Sequence, residues 1–257
     1  MTLSIQQKIQ ASEYKLPYHY FVSFDPVSLA FCSFRRLGFA VYYAVTAKLV
    51  FDTIQRLGVR SWLDVGCGDG ALISGLDQFL PDVVKEGVDY DVRSIELAKL
   101  INPSMTFHSG NILQKKADLG VFEFVTLIEV LEHIPPDEAS EFLVALGTKV
   151  AESGFLMITV PHVNQRMPQK HYRHFDFQTL RAELSVLMPE FDIEEMYGVG
   201  EKNILERLVK GLLNTKYLFL ELPGLNRQRF RAQLKAIPVP ETKTQQVAVL
   251  LKKRASS

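Results

Sequence analysis

Cysteine is nearly absent from this chain. Cys32 and Cys67 are the two present in 257 residues, and no Cys-x-x-Cys spacing occurs. A disulfide framework is therefore excluded, and so is a metal site built on paired thiolates. A reducing cytoplasm is the expected location. Net charge is absent as well. Lys+Arg and Asp+Glu stand at 29 each, so no global field marks nucleic acid or a membrane surface as the partner. Long apolar runs are missing: the longest, 37–47, is closed by Arg36 and Lys48, far short of the ~20 residues a spanning helix needs. The first residues, MTLSIQQKIQASEY, lack a basic stretch followed by an apolar one, so no secretory signal is expected. Repeats and low-complexity tracts are also lacking. With 47% hydrophobic and 23% charged residues, the chain has an ordinary globular composition, which excludes wholesale disorder and fibrous architectures.

The neutrality conceals an asymmetry. Residues 201–257 hold 12 basic and 4 acidic side chains, leaving 17 basic and 25 acidic for the rest. A basic C-terminal part suits an acceptor with an anionic portion. Residues 1–57 read as an N-terminal aromatic arm, with Tyr14, Tyr18, Tyr20 and Phe21, followed by a helical cap over 27–57, where proline is missing. From residue 58 the pattern alternates. Short β-rich runs at 60–65, 84–89, 105–108, 121–128, 154–160, 191–197 and 246–251 are expected strands, with helices at 70–80, 92–101, 137–151 and 177–187 between the first six. Strands alternating with helices imply an α/β fold: a mostly parallel sheet covered on both faces. The interval 198–245 is too long for a simple connection and reads as a helical basic insertion, part of a substrate lobe.

The sharpest motif is Leu63-Asp64-Val65-Gly66-Cys67-Gly68-Asp69-Gly70-Ala71, placed between an apolar strand and a helix. Glycine removes the Cβ where backbone turns tightly and approaches a ligand. Gly66-x-Gly68-x-x-Ala71, with Asp89 about 20 residues on, also satisfies a dinucleotide fingerprint, so a dehydrogenase has to be weighed. Asp64 argues against it. A carboxylate two residues before the first glycine repels a pyrophosphate and attracts a cation. S-adenosylmethionine carries a sulfonium and an ammonium, which suit Asp64, Gly66 and Gly68.

WLDVGCGDG (62–70), EGVDY (86–90), HSGNI (108–112) and FEFVTLIEVLEHIPP (122–136) together resemble the motifs of the class I S-adenosylmethionine-dependent methyltransferases. The likeness runs from about 60 to 185. It implies a three-layer Rossmann-like fold, a seven-stranded sheet with the last strand, 246–251, antiparallel, and residues 58–257 as the methyltransferase core. It also implies S-adenosyl-L-methionine as cofactor, with Asp89 on the ribose hydroxyls. Tyr90, Asn111 and Ile112 would lie at the adenine, and Glu129 under the methionine part. The family usually has Asp where this chain has Asn111; an amide can still bond the adenine amino group.

A second constellation follows the fourth core strand. Glu129, Glu132 and His133 stand at i, i+3 and i+4, so a helix starting there would put all three on one face. His162, His171 and His174 follow, and all four histidines are expected near the C-terminal edge of the sheet. Three readings stay open: a hydrogen-bonded network, a histidine general base with His133 and His174 as the catalytic candidates, and a divalent cation on Glu129, Glu132, His133 and His171 or His174. The last is similar to the metal site of the small-RNA 3′-terminal ribose 2′-O-methyltransferases, although Phe175-Asp176-Phe177-Gln178-Thr179-Leu180 departs from their sequence after the histidines. Network or base is weighted over metal. The favoured expectation is O-methylation of a small acceptor: a sugar, glycan precursor or specialised metabolite. The alternative is the metal-dependent RNA enzyme, and nucleic acid is a partner only in that case. A non-catalytic scaffold is disfavoured by the intact Asp64, Gly66, Gly68 and Asp89.

Overall fold

Residues 61–65, 122–128 and 150–161 alternate side chains so that both sheet faces are apolar, and a parallel sheet needs both covered. The computed structural model describes residues 37–113, 119–201 and 222–255, with 4–6, 8–9, 22–24, 26–29 and 31–33. In chain order its elements are β1 (Val22–Phe24), β2 (Phe31–Ser33), α1 (Leu37–Leu57), β3 (Ser61–Val65), α2 (Ala71–Asp77), β4 (Val84–Asp89), α3 (Val92–Ile101) and β5 (Thr106–Ser109). Then follow β6 (Phe122–Ile128), α4 (Ala139–Gly147), β7 (Val150–Pro161), α5 (Phe177–Leu187), β8 (Phe191–Glu201), α6 (Pro223–Lys235) and β9 (Thr244–Lys253).

Seven strands form one sheet in the order β5-β4-β3-β6-β7-β9-β8. The pairs β3–β4, β3–β6, β4–β5 and β6–β7 are parallel, and β9 runs antiparallel to both β7 and β8. The chain order reverses between β3 and β6, which opens a crevice beyond their C-terminal ends. Trp62, Phe124, Met157, Ala248 and Leu250 point to one face, where they pack with α1, α2, α3 and Phe230 of α6. Leu63, Val65, Val125, Leu127, Leu156, Ile158, Val247 and Val249 point to the other, under α4 and α5. The mostly parallel sheet expected from the alternation, and the three-layer Rossmann-like architecture that the resemblance implies, are the ones observed.

Three expectations need correction. The helix expected over 27–57 begins at Leu37, because Phe31–Ser33 pairs with Val22–Phe24 as a separate antiparallel hairpin. The helix expected over 137–151 stops at Gly147, and β7 starts at Val150. Glu129, Glu132 and His133 do not share a helix: the backbone makes a single 3-10 turn, Leu131–His133, and Glu129 precedes it at φ 55. The aromatic arm Tyr14 to Phe21 and positions 202–221 of the insertion lie outside the described residues.

The connection after α6 returns to the sheet at a tight crossing, where Val239 N–H donates to the Gly198 carbonyl at 2.9 Å. A Cβ on Gly198 would lie 2.3 Å from the Val239 carbonyl oxygen and 2.6 Å from Thr244 Oγ1. Backbone cannot yield as a flexible side chain does, so Gly198→Ala should cost about 1–3 kcal/mol in urea unfolding. Unchanged stability would show that this crossing is loose.

Candidate active site

Three loops meet at the C-terminal ends of β3 and β4. Gly66, Gly68 and Gly70 all have left-handed backbone, at φ 77, 56 and 76. A side chain is strained at such angles, and a Cβ on Gly66 would also strike Val130 at 2.3 Å. The bend is pinned from below. The Val88 carbonyl accepts the N–H groups of Gly66 at 2.8 Å and Cys67 at 3.1 Å. Asp89 pins it from the side: Oδ2 accepts from Gly68 N at 2.9 Å and Oδ1 from Asp91 N at 2.9 Å. Asp91 caps α3, accepting from the backbone of Arg93 and Ser94. Each Asp89 oxygen keeps a further lone pair, the requirement for a carboxylate that also receives two hydroxyls.

Asp64 lies beside Thr126 in the β3–β6 register, and Thr126 Oγ1 donates to Asp64 Oδ1 at 2.6 Å while accepting from Trp62 Nε1 at 2.8 Å. Thr126 is a residue the sequence reading passed over. A hydroxyl on the neighbouring strand, level with a buried acid, is the signal that marks it. Burial raises the Asp64 carboxyl to about 7 and that of Asp89 to about 6. Tyr90 is exposed beside Asp89, and Asn111 Oδ1 turns back to accept from Leu113 N at 3.0 Å. Ile112 is buried in the core with Val65 and Val88, so it forms floor rather than open surface.

Across the sheet, Glu129 N–H donates to the Thr159 carbonyl at 3.0 Å, and Thr159 Oγ1 donates to Glu129 Oε1 at 3.3 Å. Burial pushes Glu129 to about 7, against hydrogen bonds from Gln246 and Thr159. Glu132 is 1% exposed, its Oε2 has no hydrogen-bond partner among the described residues, and burial with the nearby Glu129 charge drives its carboxyl well up. His133 Nδ1 lies 3.1 Å from the Lys170 carbonyl, so that nitrogen carries the proton. Its Nε2 is then the lone-pair atom, 3.8 Å from Glu132 Oε1. His171 stacks edge-on to His133 with ring centroids 4.6 Å apart, and its Nδ1 lies 2.8 Å from His174 Nε2. Burial lowers His171 to about 3 and also lowers His174, so both rings are neutral near pH 7.

The four histidines do lie together: His171 contacts both His133 and His174, and His162 bridges to Phe175 beside His174. Glu132, His133 and His171 offer ligand atoms within 4.8 Å of one another. His174, one of the two catalytic candidates, is set behind His171 rather than beside Glu132. His162 is outside that donor set, its Nδ1 accepting from Asn164 N at 3.1 Å and its Nε2 lying 3.6 Å from Glu241 Oε1. The loop bearing His171 and His174 is held at both ends: Tyr172 N–H donates to the Glu132 carbonyl at 2.9 Å, and Asp176 with Thr179 forms a capping box that starts α5. That box was readable as Asp-x-x-Thr before an apolar run, yet passed unnoticed.

Comparison with known proteins adds the following. The family described as "Methyltransferase domain" matches residues 42–197. A small RNA 2′-O-methyltransferase of Mus musculus is 24% identical over 114 residues, covering 39% of this chain and 29% of that protein. Its counterpart from Rattus norvegicus is 22% identical over 168 residues, 56% of this chain and 42% of that protein. The chain thus spans less than half the length of these relatives. Among solved structures, a SAM-dependent methyltransferase from Archaeoglobus fulgidus superposes with a TM-score of 0.54 at 18% identity, over 80% of this chain and 94% of that one.

Raised carboxyl groups make stability depend on pH. Asp64 titrates near 3.8 unfolded and about 7 folded. Its proton-linked stabilisation is complete below about pH 4 and lost as pH rises through 7, on the order of a few kcal/mol for such a shift. Urea unfolding of ligand-free protein should therefore weaken from pH 4.5 to 7.5. Asp64→Asn should make the slope shallower; an identical slope would remove Asp64 from the account.

Proposed function

The chain belongs to the methyltransferase-domain family, its profile covering residues 42–197, and we propose that it transfers the methyl group of S-adenosylmethionine to a hydroxyl oxygen of a small, phosphate-bearing acceptor. The buried residues fit the donor. Asp89 presents free lone pairs for the ribose, Tyr90, Asn111 and Ile112 border the adenine side, and the left-handed bend at Gly66 and Gly68 leaves room that side chains would fill. Asp64 and Glu129 are buried acids held near neutrality, and a cation beside them stabilises their ionised forms. A pyrophosphate would do the opposite.

Bound there, the cofactor supplies an electrophilic methyl on a leaving group that needs no acid. What remains for the protein is orientation of the acceptor and removal of its proton. The observation that carries the reading is the lone pair of His133 Nε2 beside Glu132, since the Lys170 carbonyl fixes the tautomer. His133 accepts the hydroxyl proton at Nε2, and Glu132 stabilises the imidazolium. His174, bonded to His171, holds that ring against His133 and is a positioning residue.

A second reading has a specific observation behind it. Glu132, His133 and His171 form a compact donor set, and the unpartnered Glu132 Oε2 suits a divalent cation, with Glu129 close by. Such an ion would polarise the acceptor oxygen. The relatives named small RNA 2′-O-methyltransferases favour a terminal ribose as acceptor in that case.

Two experiments decide. Calorimetry should show S-adenosylhomocysteine binding, weakened about 100-fold by Asp89→Ala through loss of two charge-assisted hydrogen bonds; unaltered affinity would remove Asp89 from the site. Transfer of labelled methyl should be assayed with sugar phosphates and nucleotide sugars in one arm and RNA ending in a free diol in the other. Labelling of the small acceptors, indifferent to chelator and reduced about 10²–10⁴-fold by His133→Ala, is expected. Labelling of RNA alone, abolished by chelator and restored by Mn, would establish the second reading instead.

A further inference from the structure

On the sheet face that packs against α1, one residue of β9 is chemically out of place. Val247, Val249 and Leu251 point to the opposite face, so Gln246 shares its face with Ala248 and Leu250. Both of these are core residues, and so is Val199 of β8, which pairs with Gln246. Gln246 is itself only 9% exposed, and its Oε1 is enclosed without a hydrogen-bond partner among the described residues. A buried carbonyl that meets no donor loses its hydration uncompensated, a cost that an apolar side chain would not carry. The strand does not need the amide. β9 is held by its ladders to β7 and β8, and the Gln246 backbone carbonyl accepts from Thr244 Oγ1 at 2.8 Å.

The register puts this side chain at the donor crevice. Gln246 pairs with Pro161, the last residue of β7, so it stands at the C-terminal edge of the parallel strands. On the other side of β7, Glu129 leaves β6 and donates its N–H to the Thr159 carbonyl at 3.0 Å. Thr159 Oγ1 and the Gln246 amide both hydrogen-bond the Glu129 carboxylate. The next residue, Val130, is the side chain that a Cβ on Gly66 would strike, so Glu129 and its partners lie against the glycine bend. Glu129 also keeps a left-handed backbone at φ 55, which is costly for a residue other than glycine and holds its carboxylate at this spot.

The two polar atoms of an amide share one carbon. A carboxylate accepts, so Nε2 faces Glu129, and Oε1 is then fixed beside the same carboxylate with its lone pairs unused. An acid next to a free carbonyl oxygen suits a ligand with several N–H donors on one positive centre. A hydroxyl, with one hydrogen, would serve only one of the two. We infer that Gln246 completes the subsite for the amino-acid end of the methyl donor: its Nε2 orients the Glu129 carboxylate, and its Oε1 accepts an N–H of the donor's ammonium group. The inference rests on the placing of Glu129 under the methionine part of the donor, and it adds the residue that selects the amino group there. A ligand without that group leaves Oε1 unpaired and is bound less well.

The test is calorimetry on the full chain with three probes. These are S-adenosylhomocysteine, its deaminated analogue, which keeps the carboxylate, and 5′-methylthioadenosine, which lacks the amino-acid end altogether. The wild type should bind S-adenosylhomocysteine about tenfold or more tighter than the deaminated analogue. Gln246→Met, of the same length but without either polar atom, should weaken S-adenosylhomocysteine about tenfold and leave the other two probes unchanged. Gln246→Asn, whose amide is withdrawn by one methylene, should lose the preference likewise, which keeps the test decisive if the methionine variant does not fold. A merely structural role would lower the unfolding temperature and weaken all three probes alike, and that result overturns the inference. So does an unchanged affinity for S-adenosylhomocysteine in the variants, or a wild type indifferent to the amino group. Failure of the wild type to bind any of the three would instead contradict the cofactor reading, so the two failures are distinct.

Discussion

The architecture of the donor side turns on one carboxylate. Asp89 accepts the N–H of Gly68 with one oxygen and that of Asp91 with the other, so a single side chain fastens the glycine bend to the start of α3. The Val88 carbonyl completes the clasp by taking the N–H groups of Gly66 and Cys67. Because the strands are parallel and in register, the bend and the acid emerge at the same height. The backbone needs of both loops thus converge on the same residue.

Burial gives the site its electrostatic character. Asp64, Asp89, Glu129 and Glu132 are all shifted toward their protonated forms by lost hydration, a shift that the Lys170 charge only partly opposes at Glu129 and Glu132. Such groups are costly in isolation and become favourable when a positive ligand arrives. The protein concentrates acids at the sheet edge and places its basic surplus in 201–257.

Much of this was legible in the sequence, for physical reasons. Strand and helix periods fixed all seven core strands to within a few residues, since apolar alternation and glycine punctuation act locally. The bend at Gly66 and Gly68 and the acid at Asp89 were legible because their spacing is set by one strand–turn–helix unit. The 3-10 turn at Leu131–His133 was not, because Glu129 takes a left-handed backbone that only the Thr159 contact on β7 explains. The hairpin Val22–Phe24 with Phe31–Ser33 escaped notice beneath a helical apolar pattern. Thr126 acquires its role from a neighbour 62 residues away in the chain, across the sheet, while His171 was named and only the course of its loop shows that it, not His174, joins Glu132 and His133.

The account therefore depends on the sign of charge the glycine bend accepts. Equilibrium titration of S-adenosylmethionine and of NADH into the same preparation measures that sign directly. Saturable binding of S-adenosylmethionine with no detectable NADH binding is the predicted result. Tight binding of NADH with none of S-adenosylmethionine would contradict it.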